Sequence, residues 1–384
     1  MLLETTDHYA VTRQGRFLTV AFRRPHRVIS TCRVNGGLRE DLTHLANHQC
    51  CEGVAHAARA HLVFDKGPRG YHDFTCAEAA IPPDTSALMS TAANMQCAVL
   101  SEAAYRELNV RVIATAGVLG NATRASDPAG WHEESGGSAR VTRTPADTLP
   151  AEAGSGTIVA LVLINQPCTP ACLVKAATLV TEGKSVALLD LRMPSLQSAG
   201  LATGTGTDQL AIAAPLPVDG DWSRHWAGSH NTLGELLGRA THEAITRCLL
   251  LQNGICAELR RSICGALGRF GCTEERLRTC AEAELAPAEA TLFSQNLQAV
   301  IFDPQSAAAA YCLAECLELA GNGILHREVA REALLNQAAL LAATVAVQPE
   351  CFAEFRQRLQ TRADREPAEI VALAVVWGFA RKWN

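Results

Sequence analysis

Positive charge is not in excess: 34 lysines and arginines stand against 39 aspartates and glutamates, a net charge of −5. Nucleic-acid binding needs a basic field, so that class is set aside. Long apolar runs are also missing. The longest candidate, Ile158 to Ile164, is seven residues, against the roughly 20 that a membrane-spanning helix requires. The first residues, MLLETTDHYAVTRQG, turn acidic and polar at once, unlike a secretory signal. A soluble, cytoplasmic protein with no membrane partner is expected.

Ready-made catalytic motifs are scarce as well. There is no Cys-x-x-Cys pair, no G-x-S-x-G elbow and no H-E-x-x-H helix, which removes the simplest zinc and serine schemes. No fixed-period repeat marks a solenoid. Cysteine, by contrast, is plentiful at fifteen, and in a reducing compartment these read as buried, small hydrophobes. Cys248, Cys256, Cys264, Cys272 and Cys280 recur every eight residues. On a helix that spacing advances about 80° per step, so they do not share one face. Apolar residues make up 48% and charged residues 19% of 384, enough for a real core and for two domains.

Along the chain, 16–34 reads as a β-hairpin rich in β-branched and aromatic residues. It ends at Asn35-Gly36-Gly37, which is either turn chemistry or a hydrogen-bonding loop at a strand end. His44, Asn47 and His48 have the spacing of one helical face, an incomplete metal site. A short strand precedes Asn94, which reads as the cap of a helix running to about Leu108. VRVIATAG is a strand. The loop after it, Gly120–Glu134, gathers Asn121, Arg124, Asp127, His132 and Glu133. Residues 135–156 read as a Gly/Ser/Thr/Pro-rich excursion.

The next strand, VALVLIN, is apolar throughout and so buried on both faces. A helix capped by Thr169-Pro170 follows. Lys184 falls inside its apolar stripe and must either snorkel outward or find a buried partner. Glu182 points the other way, beside Leu179, Val186 and Leu189, so the helix reads as sandwiched. LATGTGTDQLAIAAP, 201–215, is a small-residue loop closed by Asp208 and followed by a strand. Gly204 and Gly206 allow N–H groups to converge there. The segment is a tight turn or a cradle for an anion. His230 precedes a helix capped by Asn231 and ended at Asn253-Gly254. Beyond it the chain is alanine-rich and helical in period.

The fold expected is α/β (mixed α+β): about six strands in a mixed sheet covered by helices, over residues 1–254. An all-α region over 255–384 follows.

Seven of these segments, in order, resemble the adenosylcobinamide amidohydrolase family over roughly residues 15–250. They are ISTCRVNGGL, MSTAANM, VIATAGVLGNATRASDP, GTIVALVLIN, LVTEGKSVALLDL, LATGTGTDQLAI and AGSHNTLGELLG. The family pattern has glycine where Ser126 stands and alanine where Gly183 stands. The resemblance implies hydrolysis of the amide joining aminopropanol to the corrin ring, yielding adenosylcobyric acid for cobalamin salvage. The corrinoid is then the substrate, and no cofactor is required.

Amide hydrolysis needs a base or nucleophile, an oxyanion site and a proton for the leaving amine. Asp208 or Glu182 is the candidate base, with Lys184 or His230 as proton or charge donor. The substrate-binding set is Asn35, Gly36, Asn121, Asp127, Thr203, Gly204, Thr205, Gly206 and Thr207, the three threonines doubling as candidate nucleophiles. A metal-dependent version through His44, His48, Asp127 or His132 stays open. The alternatives are a non-catalytic corrinoid binder whose tail docks partners, or a tail that makes the protein a homo-oligomer.

Overall fold

The computed structural model describes residues 1–50, 56–135, 137–141 and 156–382, with 56–64 in backbone only. It divides into two compact units, Met1–Cys256 and Ala257–Asn384.

The first unit opens with β1 (Leu2–Thr5), β2 (Tyr9–Gln14), β3 (Phe17–Phe22), β4 (His26–Ser30), β5 (Gly37–Arg39) and β6 (His44–Gln49). Next come α1 (His56–Glu78), kinked at Gly67-Pro68, then β7 (Ser86–Thr91), β8 (Val99–Tyr105) and β9 (Leu108–Ala116). Short pieces β10 (Ala122–Thr123), β11 (Trp131–Glu134) and β12 (Gly137–Arg140) precede β13 (Ile158–Ile164) and α2 (Pro170–Asp190). Finally come β14 (Gly204–Thr205), β15 (Gln209–Pro215) and α3 (Thr232–Asn253).

The strands form two main sheets, ordered β1-β2-β3-β6-β7 and β5-β4-β15-β13-β9-β8. Each is antiparallel except for one parallel pair, β6 with β7 and β13 with β15. A parallel pair needs a crossover, and α1 and α2 supply the two. Leu18, Val20, Leu45, Met89, Ile113, Leu161 and Ala213 fill the space between the sheets. The far side of the second sheet is covered by α2 and α3 through Leu173, Leu188, Leu237 and Ile245. Thus β13 is buried on both faces, as its unbroken apolar run requires.

The mixed α/β class holds, with several local corrections. Segment 16–34 is not a hairpin: β3 and β4 are consecutive but belong to different sheets, and the chain passes between sheets at Pro25. The hairpin is β2–β3, turning at Gly15 with φ 55°. His44, Asn47 and His48 lie on a strand, because pairing with β3 and β7 on both sides outweighs a local helical spacing. Asn94 caps only a single turn, Met95–Cys97, accepting from the Gln96 N–H at 2.8 Å. Residues 99–105 are then strand β8, where Val99, Ser101 and Ala103 alternate inward against β9. There are fifteen described strands rather than six, in two main sheets and two short ribbons. Of the excursion expected at 135–156, β12 pairs with β11, which lies just before it, and 136 and 142–155 lie outside the described residues.

The second unit is helical: α4 (Ala257–Arg260), α5 (Ile263–Leu267), α6 (Glu274–Glu284), α7 (Pro287–Ile301), α8 (Pro304–Gly321), α9 (Arg327–Ala346), α10 (Phe352–Gln360) and α11 (Pro367–Arg381). Its core gathers Phe293, Leu313, Leu335, Leu341 and Val375. Alanine at 338, 339, 342 and 343 lets helix axes approach, and Gly378 of α11 sits directly on the Ala342 carbonyl. Among the described residues no helix is long and apolar enough to cross a membrane.

Candidate active site

The parallel pair fixes one edge of the second sheet. Val159 registers with Gln209, so Asp208, just before β15, stands beside Ile158 at the start of β13. The chain leaves along β13, seven residues or roughly 23 Å. It returns on α2, where Pro170 to Lys184 is roughly 21 Å of helix. The near-equal lengths bring Lys184 back to the edge it left, across from Asp208.

Lys184 Nζ donates to Asp208 Oδ2 in an ion pair whose side chains are 16% and 17% exposed. Three more donors reach the same carboxylate: the Thr205 N–H to Oδ2 at 3.1 Å, the Thr205 hydroxyl to Oδ1 at 2.5 Å, and the Ile158 N–H to Oδ1 at 3.2 Å. A carboxylate offers about four lone-pair sites, so Asp208 is fully engaged. Gly204 is required by this closeness. A Cβ there would overlap Asp208 Oδ2 and Lys184 Nζ together.

The loop is stitched down on either side. Thr205 pairs with Ala122 and Gly204 with Thr123 across β14 and β10. The Ser185 hydroxyl donates to the Thr203 carbonyl at 2.9 Å, and the Ala125 N–H to the Thr203 hydroxyl at 2.8 Å. Beside them runs a second polar chain. Asn121 Nδ2 donates to the Gly156 carbonyl at 3.0 Å and the Thr207 hydroxyl at 3.3 Å; the Thr207 and Thr157 hydroxyls meet at 2.7 Å. Gly206 and Thr207 are exposed, so the loop's crest faces solvent over the ion pair.

The residues singled out in the sequence divide accordingly. Lys184, Asp208, Gly204 and Thr205 converge; Thr207 and Asn121 adjoin them, and a Cβ added at Gly206 would lie 3.3 Å from Asn121 Oδ1. Asp127 closes the neighbouring turn, accepting from the Arg124 N–H at 2.7 Å and the Ser195 hydroxyl at 2.6 Å. Burial opposes its charge, but hydrogen bonds from Ser195, Ser198, Arg124 and Thr123 outweigh it and hold the carboxyl below the usual range. Asn35 adopts φ 57°, and its amide donates to the carbonyls of Pro83 and Ser86 at 2.7 and 2.8 Å. Gly36 beside it lies against the Cys32 carbonyl, leaving no room for a side chain. Glu182 and His230 are exposed, and their side chains make no hydrogen bond or ion pair among the described residues.

The expectation that α2 is sandwiched fails, because Val174 and Val186 face solvent on Glu182's side. His48 stacks on Phe17 at 4.7 Å, His132 is exposed on β11, and among the described residues no three potential metal ligands converge. The eight-residue cysteine series is dispersed: Cys248 donates to the Ala114 carbonyl at 3.1 Å from α3, whereas Cys264 and Cys272 meet in the second unit. Sequence reasoning missed the Ile158 N–H, Thr157 and Ser185. Of these only Ser185 left a signal, by adjoining Lys184.

Two mixed sheets, each with one helical crossover, define a mixed α/β protein, and at the end of one sheet a lysine–carboxylate pair lies against a Gly/Thr loop. The family model for adenosylcobinamide amidohydrolase (CbiZ) matches residues 2–257, and the chain belongs to that family. Membership implies a hydrolase. The chain is also similar to the uncharacterized protein MJ1613 of Methanocaldococcus jannaschii, 25% identical over 253 residues, covering 65% of this chain and 92% of that one. A solved structure, the PH0078 protein of Pyrococcus horikoshii OT3, aligns with TM-score 0.30 and 9% identity over 63% of this chain and 83% of that one.

Proposed function

We propose that the first unit hydrolyses the amide that joins aminopropanol to the corrin ring of adenosylcobinamide, releasing aminopropanol and adenosylcobyric acid in the cytoplasm. The observation that carries this reading is the Lys184–Asp208 pair at the loop edge. An amide is cleaved only if its nitrogen is protonated as it leaves, and an ammonium held in place by a carboxylate is such a proton source. Asp208 holds Lys184 and the loop backbone in place and is the acceptor through which protons pass. Asn121 and the 203–207 backbone face the corrin's own carboxamides. No resident cofactor enters the scheme, and turnover is expected to survive exhaustive chelation.

Incubating the full chain with adenosylcobinamide and following aminopropanol by mass spectrometry tests the reading. Asp208→Asn should abolish release while corrinoid binding, followed by absorbance, persists. Unchanged ligand with wild-type protein would instead indicate a corrinoid binder. Full activity in the Asp208→Asn protein would remove that residue from the scheme.

A further inference from the structure

Resting on the reading above, we propose that Thr205 is the nucleophile and that the reaction passes through an acyl-enzyme ester. Three threonines line the loop, and the structure separates them. The Thr203 hydroxyl accepts a hydrogen bond from the Ala125 N–H, and the Thr207 hydroxyl belongs to the chain with Thr157, Gly156 and Asn121. The Thr205 hydroxyl alone of the three donates a hydrogen bond to a carboxylate, Asp208 Oδ1, at 2.5 Å. The other oxygen of that carboxylate holds the Lys184 ammonium. Hydroxyl, carboxylate and ammonium therefore form one connected line, the arrangement of an activated nucleophile with its base and an acid beyond it.

The rival nucleophiles fit less well. Attack by the Lys184 amine would replace one amide with another, equally hard to hydrolyse. Direct water activation by Asp208 meets a carboxylate whose four acceptor sites are already taken.

The step balances as follows. Thr205 Oγ1 bonds to the amide carbonyl carbon as its proton passes to Asp208 Oδ1. The carbon–nitrogen bond breaks as the amine nitrogen takes a proton from Lys184, and Asp208 returns its proton to Lys184. Aminopropanol leaves. Water then adds to the ester carbon, the carbon–Oγ1 bond breaks, and Thr205 regains its hydroxyl proton, releasing the carboxylic acid.

An ester intermediate partitions between water and added amine nucleophiles, so the test is turnover of adenosylcobinamide in neutral hydroxylamine. The expected result is a hydroxamate of adenosylcobyric acid, growing at the expense of the free acid. Thr205→Val, which keeps the side-chain shape, should lower kcat at least about a thousandfold with little change in KM. Thr205→Ser should keep both turnover and hydroxamate formation. Should the valine protein fail to fold, the serine protein and the hydroxamate yield still decide. Aminopropanol release without hydroxamate, or equal hydroxamate from Thr205→Val, overturns the covalent route and leaves the proposed activity standing. No aminopropanol from the wild-type chain overturns the activity itself.

Discussion

Removing Asp208 should cost more stability than removing Lys184, although the two form one ion pair. Asp208→Ala strips an acceptor used by four donors: an ammonium, two backbone N–H groups and the Thr205 hydroxyl. Breaking a buried pair by deleting one partner costs about 3–5 kcal/mol. Each side chain here is about one-sixth exposed, so roughly 3 kcal/mol is expected. Lys184→Met keeps the aliphatic stem packed and leaves Asp208 with three of its four donors, a loss of about 1–2 kcal/mol. The gap, about 1.4 kcal/mol, is about tenfold in the local opening equilibrium. Native-state hydrogen exchange at the Ile158 and Thr205 amides reads it directly, because both N–H groups end on this carboxylate. Asp208→Asn should fall between the two, retaining an acceptor but turning an NH2 toward Lys184. If Lys184→Met opens these amides as much as Asp208→Ala does, the aspartate merely neutralises the lysine and the argument that it holds the loop is refuted.

Other substitutions probe the scaffold. Gly183→Ala would place a Cβ 2.9 Å from the Gly238 carbonyl where α2 crosses α3; a loss of about 1–3 kcal/mol in urea unfolding is expected, though the family pattern carries alanine there. Ser126 holds φ 91° where that pattern has glycine, so Ser126→Gly should stabilise by about 0.5–1 kcal/mol, checked by the urea midpoint. His26, stacked on Phe22 at 4.2 Å, is pushed down from the usual 6.5 to about 4, first by burial; its bond to the Arg24 carbonyl raises it, while His8 and Arg24 lower it further. Its folded value lies below its unfolded one, so its contribution is complete above pH 6.5. It is lost as pH falls, and exhausted below about 4, a total of roughly 3 kcal/mol. His26→Asn keeps a donor toward Arg24 and should flatten this part of the stability–pH curve.

Where the sequence was read correctly, the controlling interaction is short-range. Thr169 caps α2 by accepting from the Cys172 N–H, and Asn231 caps α3 from the Leu233 N–H. Gly254 ends α3 at φ 67°. The unbroken apolar run of β13 demanded burial on both faces. Local pattern and structure part where a segment's period is ambiguous and a distant partner chooses its state. Residues 99–105 satisfy a helical stripe on paper, yet β9 offers a full antiparallel ladder with alternating burial. His44 to His48 likewise became a strand only because β3 and β7 lie on either side.

The same division runs through the site. By itself the sequence determined a glycine–threonine loop closed by Asp208, and a lysine stranded in an apolar helical stripe that needed either solvent or a partner. Backbone freedom at glycine and the 3.6-residue period are properties of a few neighbouring residues, so both were legible. That the partner is Asp208, twenty-four positions away, was decided by the tertiary structure. So was the placing of Glu182, which the same helix turns to solvent. Only the parallel pairing of β13 with β15 puts Asp208 beside Ile158, and only a helical stretch from Pro170 to Lys184 about as long as the strand before it returns Lys184 to that edge.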